Sequence, residues 1–179
     1  MKPAVRYRVL PASPEAHLFE VRCTVADPDA EGQRFALPAW IPGSYLVRDF
    51  ARHIVTIRAE QGSGARARPV ALRKRDKHTW QADPVDPRGG PLTVVAQIYA
   101  WDLSVRGAHF DTTHAFFNGT SLFLRVAGHE DRRHEVELLP PPGKRYAGWR
   151  VATAMPRVRG RAWGFGTFAA SDYDELIDH

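Results

Sequence analysis

Alternation of polar and apolar residues is the feature that most constrains the fold of this chain. In HLFEVRCTV (17–25), Phe19, Val21, Cys23 and Val25 share one face of an extended segment, and mainly polar residues occupy the other. Because strand side chains alternate between two faces, this pattern indicates a half-buried β-strand. The same pattern recurs in HIVTIRAE (53–60), HTWQA (78–82) and EVELL (135–139).

Longer apolar runs predict further strands. PLTVVAQIYAW (91–101) is rich in β-branched and aromatic residues and is expected at the centre of a sheet. TSLFLRVAG (120–128) and GWRVATA (148–154) are also expected to be strands. Turn residues separate these segments at intervals typical of a β-sandwich or a large bent sheet. The predicted fold class is therefore all-β.

The C-terminal run SDYDELIDH is the one segment with a clear helix-start pattern. Ser171 or Asp172 is the expected N-cap, and acidic residues follow in the first turn. We expect residues 1–170 to form one β domain, and residues 171–179 to begin a helix or linker into a further domain. A natural, frayed C-terminus explains the same feature equally well.

Composition narrows the class of protein. Hydrophobic residues make up 44% of the chain and charged residues 25%, which is typical of a globular domain. The apolar runs are too short to span a bilayer, and no signal peptide is evident, so we predict no membrane partner. The single cysteine, Cys23, suits a reducing compartment, and a cytoplasmic location is expected.

The net charge of +5 and the pI of about 9.7 raise the question of nucleic-acid binding. The densest basic segments, residues 66–77 and 157–161, contain no aromatic residues that would form a base-stacking platform. Solvated loops or strand edges are the favoured interpretation, and we predict no nucleic-acid partner.

Two histidine-containing segments were considered as metal sites. In HEDRRHE (129–135) the histidines are five residues apart, whereas H-E-x-x-H places them four apart on one helical face. This segment is expected to be a polar hairpin loop. HFDTTH (109–114) could bring His109, Asp111 and His114 around a metal, but a hydrogen-bonded loop is the favoured interpretation. No catalytic residue and no metal ligand are predicted in this chain.

Four segments carry a resemblance to a known family. They are WIPGSYLVRDFARHI (40–54), YAWDLSVRGAHFDTTHAFFNGTSLFL (99–124), WRVATAMP (149–156) and the F-x-A-x-x-Y-D-E-L-I-D run (168–178). With these segments the chain resembles the N-terminal domain of the glycyl aminopeptidase family of zinc metallopeptidases, which are gluzincins that often carry a PDZ domain. The resemblance extends from about Tyr7 to Asp178.

The resemblance implies a saddle-like β domain similar to the N-terminal domain of aminopeptidase N-type enzymes. In this family a separate catalytic domain supplies H-E-x-x-H and a distant glutamate as zinc ligands. This chain contains no H-E-x-x-H, so the resemblance implies a non-catalytic domain that is inactive alone. Zinc is expected in the absent catalytic domain. The implied partners are that domain of the same polypeptide and, through the full-length enzyme, a peptide substrate.

The resemblance also implies a substrate-binding or interdomain site. Its tentative residues are Trp40, Tyr45, Arg48, Asp49, Arg52, Asp102 and Arg106. The two aromatic residues would form an apolar corner at the Pro42-Gly43 turn, and the charged residues would face the catalytic domain. Either aspartate could hold the ammonium group of a peptide. An arginine–aspartate network that only stabilises a corner within this domain is an equally good explanation.

Three other functions remain open on the sequence alone. A free-standing β-sandwich could bind a peptide or carbohydrate through exposed aromatic residues such as Trp40, Tyr99 and Trp101. A basic nucleic-acid binder would lose affinity steeply with salt. A metal site in the 109–114 loop would be revealed by metal analysis.

Overall fold

Antiparallel β-sheet dominates the structure, a computed structural model that describes residues 3–41, 43–44 and 46–179. The described residues form fourteen β-strands and one short α-helix. The strands are β1 (Val5–Ser13), β2 (Leu18–Val25), β3 (Arg34–Ala36), β4 (Ile54–Gln61), β5 (Arg68–Val70), β6 (Leu72–Lys74), β7 (Thr79–Ala82), β8 (Leu92–Tyr99), β9 (Ala108–Phe110), β10 (Ala115–Phe117), β11 (Arg125–Val126), β12 (His134–Leu138), β13 (Arg157–Gly160) and β14 (Gly166–Ala170). The helix is α1 (Tyr173–Asp178).

The strands form three sheets. The largest has eight strands in the order β13-β14-β12-β1-β2-β8-β4-β5, a second has the order β11-β3-β7-β6, and β9 pairs with β10 alone. All pairings are antiparallel except that of β1 with β12. Strand β8 lies inside the large sheet between β2 and β4, as its apolar sequence predicts.

One face of the eight-stranded sheet forms the main core with the four-stranded sheet. Phe19, Val21, Cys23 and Val25 all point into this core, which confirms the alternation predicted for β2. Strand β1 follows the same pattern, although the sequence analysis did not identify it as a strand. The predicted mainly β fold class is confirmed.

Two of the predicted strands are wrong. In the 120–128 segment, a 3₁₀ helix at Gly119–Ser121 is followed by a buried irregular run, and only Arg125–Val126 is strand. The Asn118 side chain accepts a hydrogen bond from the Thr120 amide at 3.1 Å and so caps the 3₁₀ helix. In this run the chain is therefore held by a side-chain cap and by burial of its apolar residues, and sheet pairing is limited to Arg125–Val126.

The 148–154 segment is also irregular. The Thr153 hydroxyl accepts a hydrogen bond from the Met155 amide at 3.2 Å, and the Val151 amide donates to the Trp163 carbonyl at 2.9 Å. The edge of the large sheet next to β12 is instead occupied by the β13–β14 hairpin. Trp149 and Val151 of this segment pack against the core without joining a sheet.

The C-terminal helix begins where the sequence predicts. Asp172 is the N-cap, and its carboxylate accepts a hydrogen bond from the Glu175 amide at 2.8 Å. The Glu175 carboxylate in turn accepts from the Ser171 amide at 2.5 Å. Tyr173 and Leu176 attach the helix to the core. Among the described helices, none is long and apolar enough to cross a membrane.

Both basic segments lie at sheet edges. Residues 66–77 include β5 and β6, which are edge strands of two different sheets, and residues 157–161 include the opposite edge strand β13. Charged side chains on an edge strand discourage pairing with other chains. The structure thus places these segments where the strand-edge interpretation expected them.

Candidate functional site

Two segments that are distant in sequence meet at one surface cavity of about 210 Å³. Residues 46–53 form one side, and residues 98–108 form the other. Four predicted site residues line this cavity together, namely Arg48, Arg52, Asp102 and Arg106. We call it the arginine cavity and define it by these four residues with His53 and Ser121.

Two short 3₁₀ helices hold the arginine cavity in place. The first, Phe50–His53, buries Phe50 in the core and leaves Arg52 and His53 at the surface side. The second, Gly119–Ser121, contacts the first and brings Ser121 to the cavity wall. A backbone hydrogen bond helps to position Arg48: its amide donates to the Ala39 carbonyl at 2.6 Å.

The loop that carries Asp102 and Arg106 is compact. The Asp102 amide donates to the Ala108 carbonyl at 2.9 Å, and the Gly107 amide donates to the Ser104 carbonyl at 3.2 Å. A Cβ atom at Gly107 would lie 2.5 Å from Asp102 Oδ2. Glycine at this position therefore leaves room for the Asp102 carboxylate beside the cavity.

The charges of the arginine cavity are unbalanced. Its wall has three guanidinium groups and one carboxylate. Within the described part of the chain, no carboxylate oxygen lies within 4.0 Å of a guanidinium nitrogen of Arg48, Arg52 or Arg106. The predicted arginine–aspartate network at this corner is thus not formed by direct ion pairs within these residues.

The arginines instead contact neutral groups. Arg48 Nε and Nη2 both donate to the Ser44 hydroxyl at 3.3 Å, and Arg52 Nε donates to His53 Nε2 at 3.1 Å. An imidazole nitrogen that accepts a hydrogen bond is unprotonated. Burial, followed by the charge of Arg52, lowers the pKa of His53 below 6.5, and Asp102 opposes this shift. His53 is therefore neutral near pH 7.

Two other predicted residues, Asp49 and Trp40, do not line the arginine cavity. Lys77 Nζ lies 2.8 Å from Asp49 Oδ1, so this carboxylate is paired within the domain. Trp40 lies beyond Leu46 and Val47, in a neighbouring hollow of about 240 Å³. Tyr45 and the Pro42 part of the predicted turn lie outside the described residues. The sequence analysis did not identify Ser121, whose small neutral side chain carries no distinctive signal.

Exposed apolar side chains occur in both segments that form the arginine cavity. Leu46, Val47, Leu103 and Val105 are between 65% and 73% exposed, and all four belong to the two segments that form the cavity. We call this surface, together with Trp40, the docking face. Large apolar patches bordered by charge are typical of protein interaction surfaces.

The 109–114 segment forms a hydrogen-bonded turn between β9 and β10. Asp111 Oδ1 accepts hydrogen bonds from the Thr113 hydroxyl, the Thr113 amide and the His114 amide, and Oδ2 lies 3.2 Å from His109 Nε2. The hydrogen bonds from Thr113 are the main cause of the strongly lowered pKa of Asp111. The predicted hydrogen-bonded loop is confirmed.

The same three side chains are the described group that could hold a metal ion. One ligand atom each from His109, Asp111 and His114 lies within 4.8 Å of the others. The hydrogen bonds to Asp111 account for this arrangement without an ion, because they are those of a side-chain-capped turn.

The predicted hairpin loop at 129–135 is wrong. Residues 129–133 form a loop that joins β11 of the four-stranded sheet to β12 of the eight-stranded sheet, and His134 and Glu135 already belong to β12. His134 is fully buried and stacks against Tyr7 with ring centroids 5.9 Å apart. His129 lies in the loop itself. The two histidines of this segment therefore lie in different surroundings, one in the loop and one buried in β12.

Two of the three exposed aromatic residues lie close together. Trp101 and Tyr99 both pack against His17, with ring centroid distances of 3.9 and 6.0 Å, and Trp101 also stacks on His109 at 4.8 Å. Tyr99 lies at the wall of the arginine cavity, and Trp40 lies on the far side of Leu46 and Val47. Trp40 is therefore separate from the other two aromatic residues.

Comparison with solved structures supports the fold. An aminopeptidase N family protein from Idiomarina loihiensis is 41% identical in sequence, with a TM-score of 0.88 over 97% of this chain. The chain spans 28% of the length of that protein. An M1 zinc metallopeptidase from Deinococcus radiodurans is 9% identical, with a TM-score of 0.46; the match covers 92% of this chain and 37% of that one.

Comparison with protein families gives a match along almost the whole sequence. No curated protein matches the chain. The model of the Peptidase M61 N-terminal domain, however, matches residues 6–179. These residues include both segments of the arginine cavity and the C-terminal helix. The chain therefore belongs to the Peptidase M61 N-terminal domain family.

Proposed function

We propose that this chain is the non-catalytic N-terminal domain of a zinc aminopeptidase and that its docking face packs against the catalytic domain. The carrying observation is that two segments about fifty residues apart meet at one cavity and that both carry strongly exposed apolar side chains. Covering such side chains stabilises an interface by about 25 cal/mol for each Å² of apolar surface removed from water.

Family membership and the length of the relative support this proposal. The 41% identical protein is much longer than this chain, and its name places it in the aminopeptidase N family. Zinc would then be held outside this chain, because H-E-x-x-H is absent from its sequence. In this arrangement the domain shapes the cleft and excludes water from one side, while the chemistry occurs elsewhere.

Gene sequencing and an activity assay test the catalytic part of the proposal. We expect the reading frame to continue beyond codon 179 and to encode H-E-x-x-H within about 100 to 200 residues. The purified 179-residue chain is expected to release no N-terminal glycine or alanine from peptides, with or without added zinc. Zinc-dependent release by this chain would overturn the assignment.

Substitution of one apolar residue tests the docking part. In the longer protein, Leu103→Asp places a charge in the proposed interface and is expected to increase hydrogen exchange in residues 101–107 and to lower specific activity about tenfold. Val158→Asp is the matched control, because Val158 is exposed on the edge strand β13. Equal effects of the two substitutions would contradict docking through this face. Saturable binding of a peptide or carbohydrate with Leu103 still exposed would favour a free-standing binding module.

A further inference from the structure

The arginine cavity has positive charges that the domain does not neutralise. Three guanidinium groups gather around a space of about 210 Å³, and Asp102 is the one carboxylate in its wall. Like charges that lie close together repel each other, and this repulsion is relieved when an anion enters. The electrostatics therefore favour an anion and oppose an ammonium group, which the sequence left as one option for Asp49 or Asp102.

Hydrogen-bonding capacity is also left over. Arg48 makes two long hydrogen bonds to one hydroxyl, and the guanidinium group of Arg106 makes none with the described residues. A guanidinium group has five N–H donors in a planar fork, and this geometry matches a carboxylate that accepts two parallel hydrogen bonds. The free N–H groups at the cavity are therefore sufficient for at least one arginine–carboxylate contact with two parallel hydrogen bonds.

Ser121 supplies a second, independent observation. Its side chain is 5% exposed and lines the cavity, and its hydroxyl has no hydrogen-bond partner among the described residues. A buried hydroxyl without a partner costs folding free energy, and native structures rarely retain one without a reason. An anion oxygen in the cavity would give this hydroxyl an acceptor.

The cavity walls favour an anion that is attached to apolar atoms. Leu46, Ile98 and Tyr99 provide apolar surface beside the charged groups, and this strengthens electrostatic attraction to a ligand. The same surface can contact the carbon atoms that carry a carboxylate, whereas inorganic phosphate has no such atoms. The chemistry of the wall is thus better matched to an organic carboxylate.

We propose that the arginine cavity is a carboxylate-binding site in which Arg48, Arg106 and the Ser121 hydroxyl contact the bound oxygens. Arg52 contributes charge and keeps His53 in place. Two sources supply this chemistry, namely an acidic side chain of a docked domain and the terminal carboxylate of a peptide. The inference rests on the cavity itself and does not require the proposed aminopeptidase.

Nuclear magnetic resonance titration of the 179-residue chain tests this site. The probes are N-acetylglycine, which carries a terminal carboxylate beside an amide, and propionate, which reproduces a glutamate side chain. Ionic strength is matched with sodium chloride throughout. We expect saturable shifts of the Nε–H resonances of Arg48 and Arg106 and of the Ser121 amide. Tighter binding of N-acetylglycine identifies a peptide terminus as the source, and equal or tighter binding of propionate identifies an acidic side chain.

Matched variants define the site. Arg106→Gln is expected to weaken binding about tenfold, which corresponds to about 1.4 kcal/mol. Ser121→Ala is expected to weaken binding and to leave the unfolding midpoint unchanged, because the hydroxyl has no partner to lose. Arg161→Gln removes an exposed arginine outside the cavity and is expected to leave affinity unchanged.

Three results would overturn the carboxylate assignment. The first is that uncharged N-acetylglycine methyl ester shifts the same resonances to the same extent. The second is that Arg161→Gln weakens binding as much as Arg106→Gln, which would indicate general charge attraction. The third is that phosphate binds more tightly than both carboxylates at matched ionic strength. Failure of the docking test with Leu103→Asp would leave the result of this titration unaffected.

Discussion

Arginines on the open face of the eight-stranded sheet and those in the arginine cavity have opposite surroundings. On the sheet, Arg8 Nε lies 3.2 Å from Glu137, and Arg22 Nη2 lies 2.5 Å from Glu60. In the cavity, Arg48 and Arg106 have no carboxylate within 4.0 Å among the described residues. These two sheet arginines have carboxylate partners within the domain, whereas the cavity arginines pair with no carboxylate of the described residues.

Strand register explains the difference. The parallel pairing of β1 with β12 places Arg6 opposite Glu135 and Arg8 opposite Glu137, and side chains at facing positions of neighbouring strands are close enough to pair. The cavity arginines come from loops and a 3₁₀ helix, where no ladder assigns them a partner. The cavity arginines therefore keep hydrogen-bonding capacity that the paired arginines of β1 and β2 have used.

The largest expected effect tests this comparison directly. Arg22 and Glu60 are 30% and 26% exposed, so their ion pair is shielded from solvent more than most surface pairs. Arg22→Ala is expected to lower the free energy of unfolding by about 1–2 kcal/mol, because Glu20 and Glu60 lose their shared partner. Denaturant unfolding at pH 7 measures this loss.

The matched variants are Glu60→Gln and Arg106→Gln. Glu60→Gln removes the carboxylate charge with little change of shape, and it is expected to destabilise in the same direction as Arg22→Ala. Arg106→Gln removes a cation without a partner, so the free energy of unfolding is expected to change by less than about 0.5 kcal/mol. If the cavity variant destabilised as much as Arg22→Ala, the distinction between the two regions would be wrong.

His134 provides a second test of the comparison. Its ring is a polar group without a hydrogen-bond partner in the described part of the chain, like the Arg106 guanidinium group, but it is buried where no ligand can reach it. The hydroxyls of Tyr7 and Tyr173 donate to carbonyls at 2.7 Å, but neither ring nitrogen of the adjacent His134 has a hydrogen-bond partner among the described residues. Burial lowers the pKa of His134 below 6.5. A weak contact with the Arg132 backbone opposes this shift without reaching hydrogen-bond geometry.

Stability is therefore expected to decrease in mild acid. Between the lowered folded-state pKa of His134 and the unfolded-state value near 6.5, the unfolded chain binds more protons, so the free energy of unfolding falls as the pH drops below 6.5. The slope is at most about 1.4 kcal/mol per pH unit. Unfolding curves from pH 7.5 to pH 5 measure it. His134→Leu is expected to reduce the slope, and His114→Gln, at an exposed position, is the control; equal slopes in all three proteins would contradict the assignment.

The smallest expected effect concerns coupling of charges inside the cavity. Asp102 raises the pKa of His53, and Arg52 lowers it. Asp102→Asn is thus expected to lower the pKa of His53 further, and Arg52→Gln is expected to raise it. Titration of the His53 ring resonances measures both shifts. Lys77→Gln is the control, because Lys77 pairs with Asp49 outside the cavity wall. Shifts of the same sign for Asp102→Asn and Arg52→Gln would show that these charges do not act on His53 as the geometry implies.

The strands that sequence predicted correctly are those in which local pattern and tertiary environment agree. Strand β2 alternates, and its apolar face is buried on one side of a sheet. The 120–128 run has no alternation at its centre, where Leu122, Phe123 and Leu124 are all buried in succession. Such a run carries no periodicity that distinguishes a strand from an irregular buried segment, so its conformation was decided by packing and by the Asn118 cap.

The candidate site was predictable in part. Resemblance to the family selected the two segments that meet at the arginine cavity, and four of the seven proposed residues line it together. The resemblance also selected Asp49, but the carboxylate of Asp49 pairs with Lys77 from a different loop and does not line the cavity. Ser121 was missed because its importance depends on burial next to charged groups, and the local sequence pattern does not indicate whether a serine is buried.

By itself the sequence determined the mainly β fold, the helix start at Asp172 and the family resemblance, since each depends on residues close together in the chain. Only the tertiary structure decided which arginines have partners. Long-range pairing assigns Glu135 and Glu137 to the arginines of β1, while loop packing brings Arg48 and Arg106 to one cavity without a carboxylate at ion-pair distance within the described chain. Electrostatic energy depends on distance in space, and distance along the chain does not specify it.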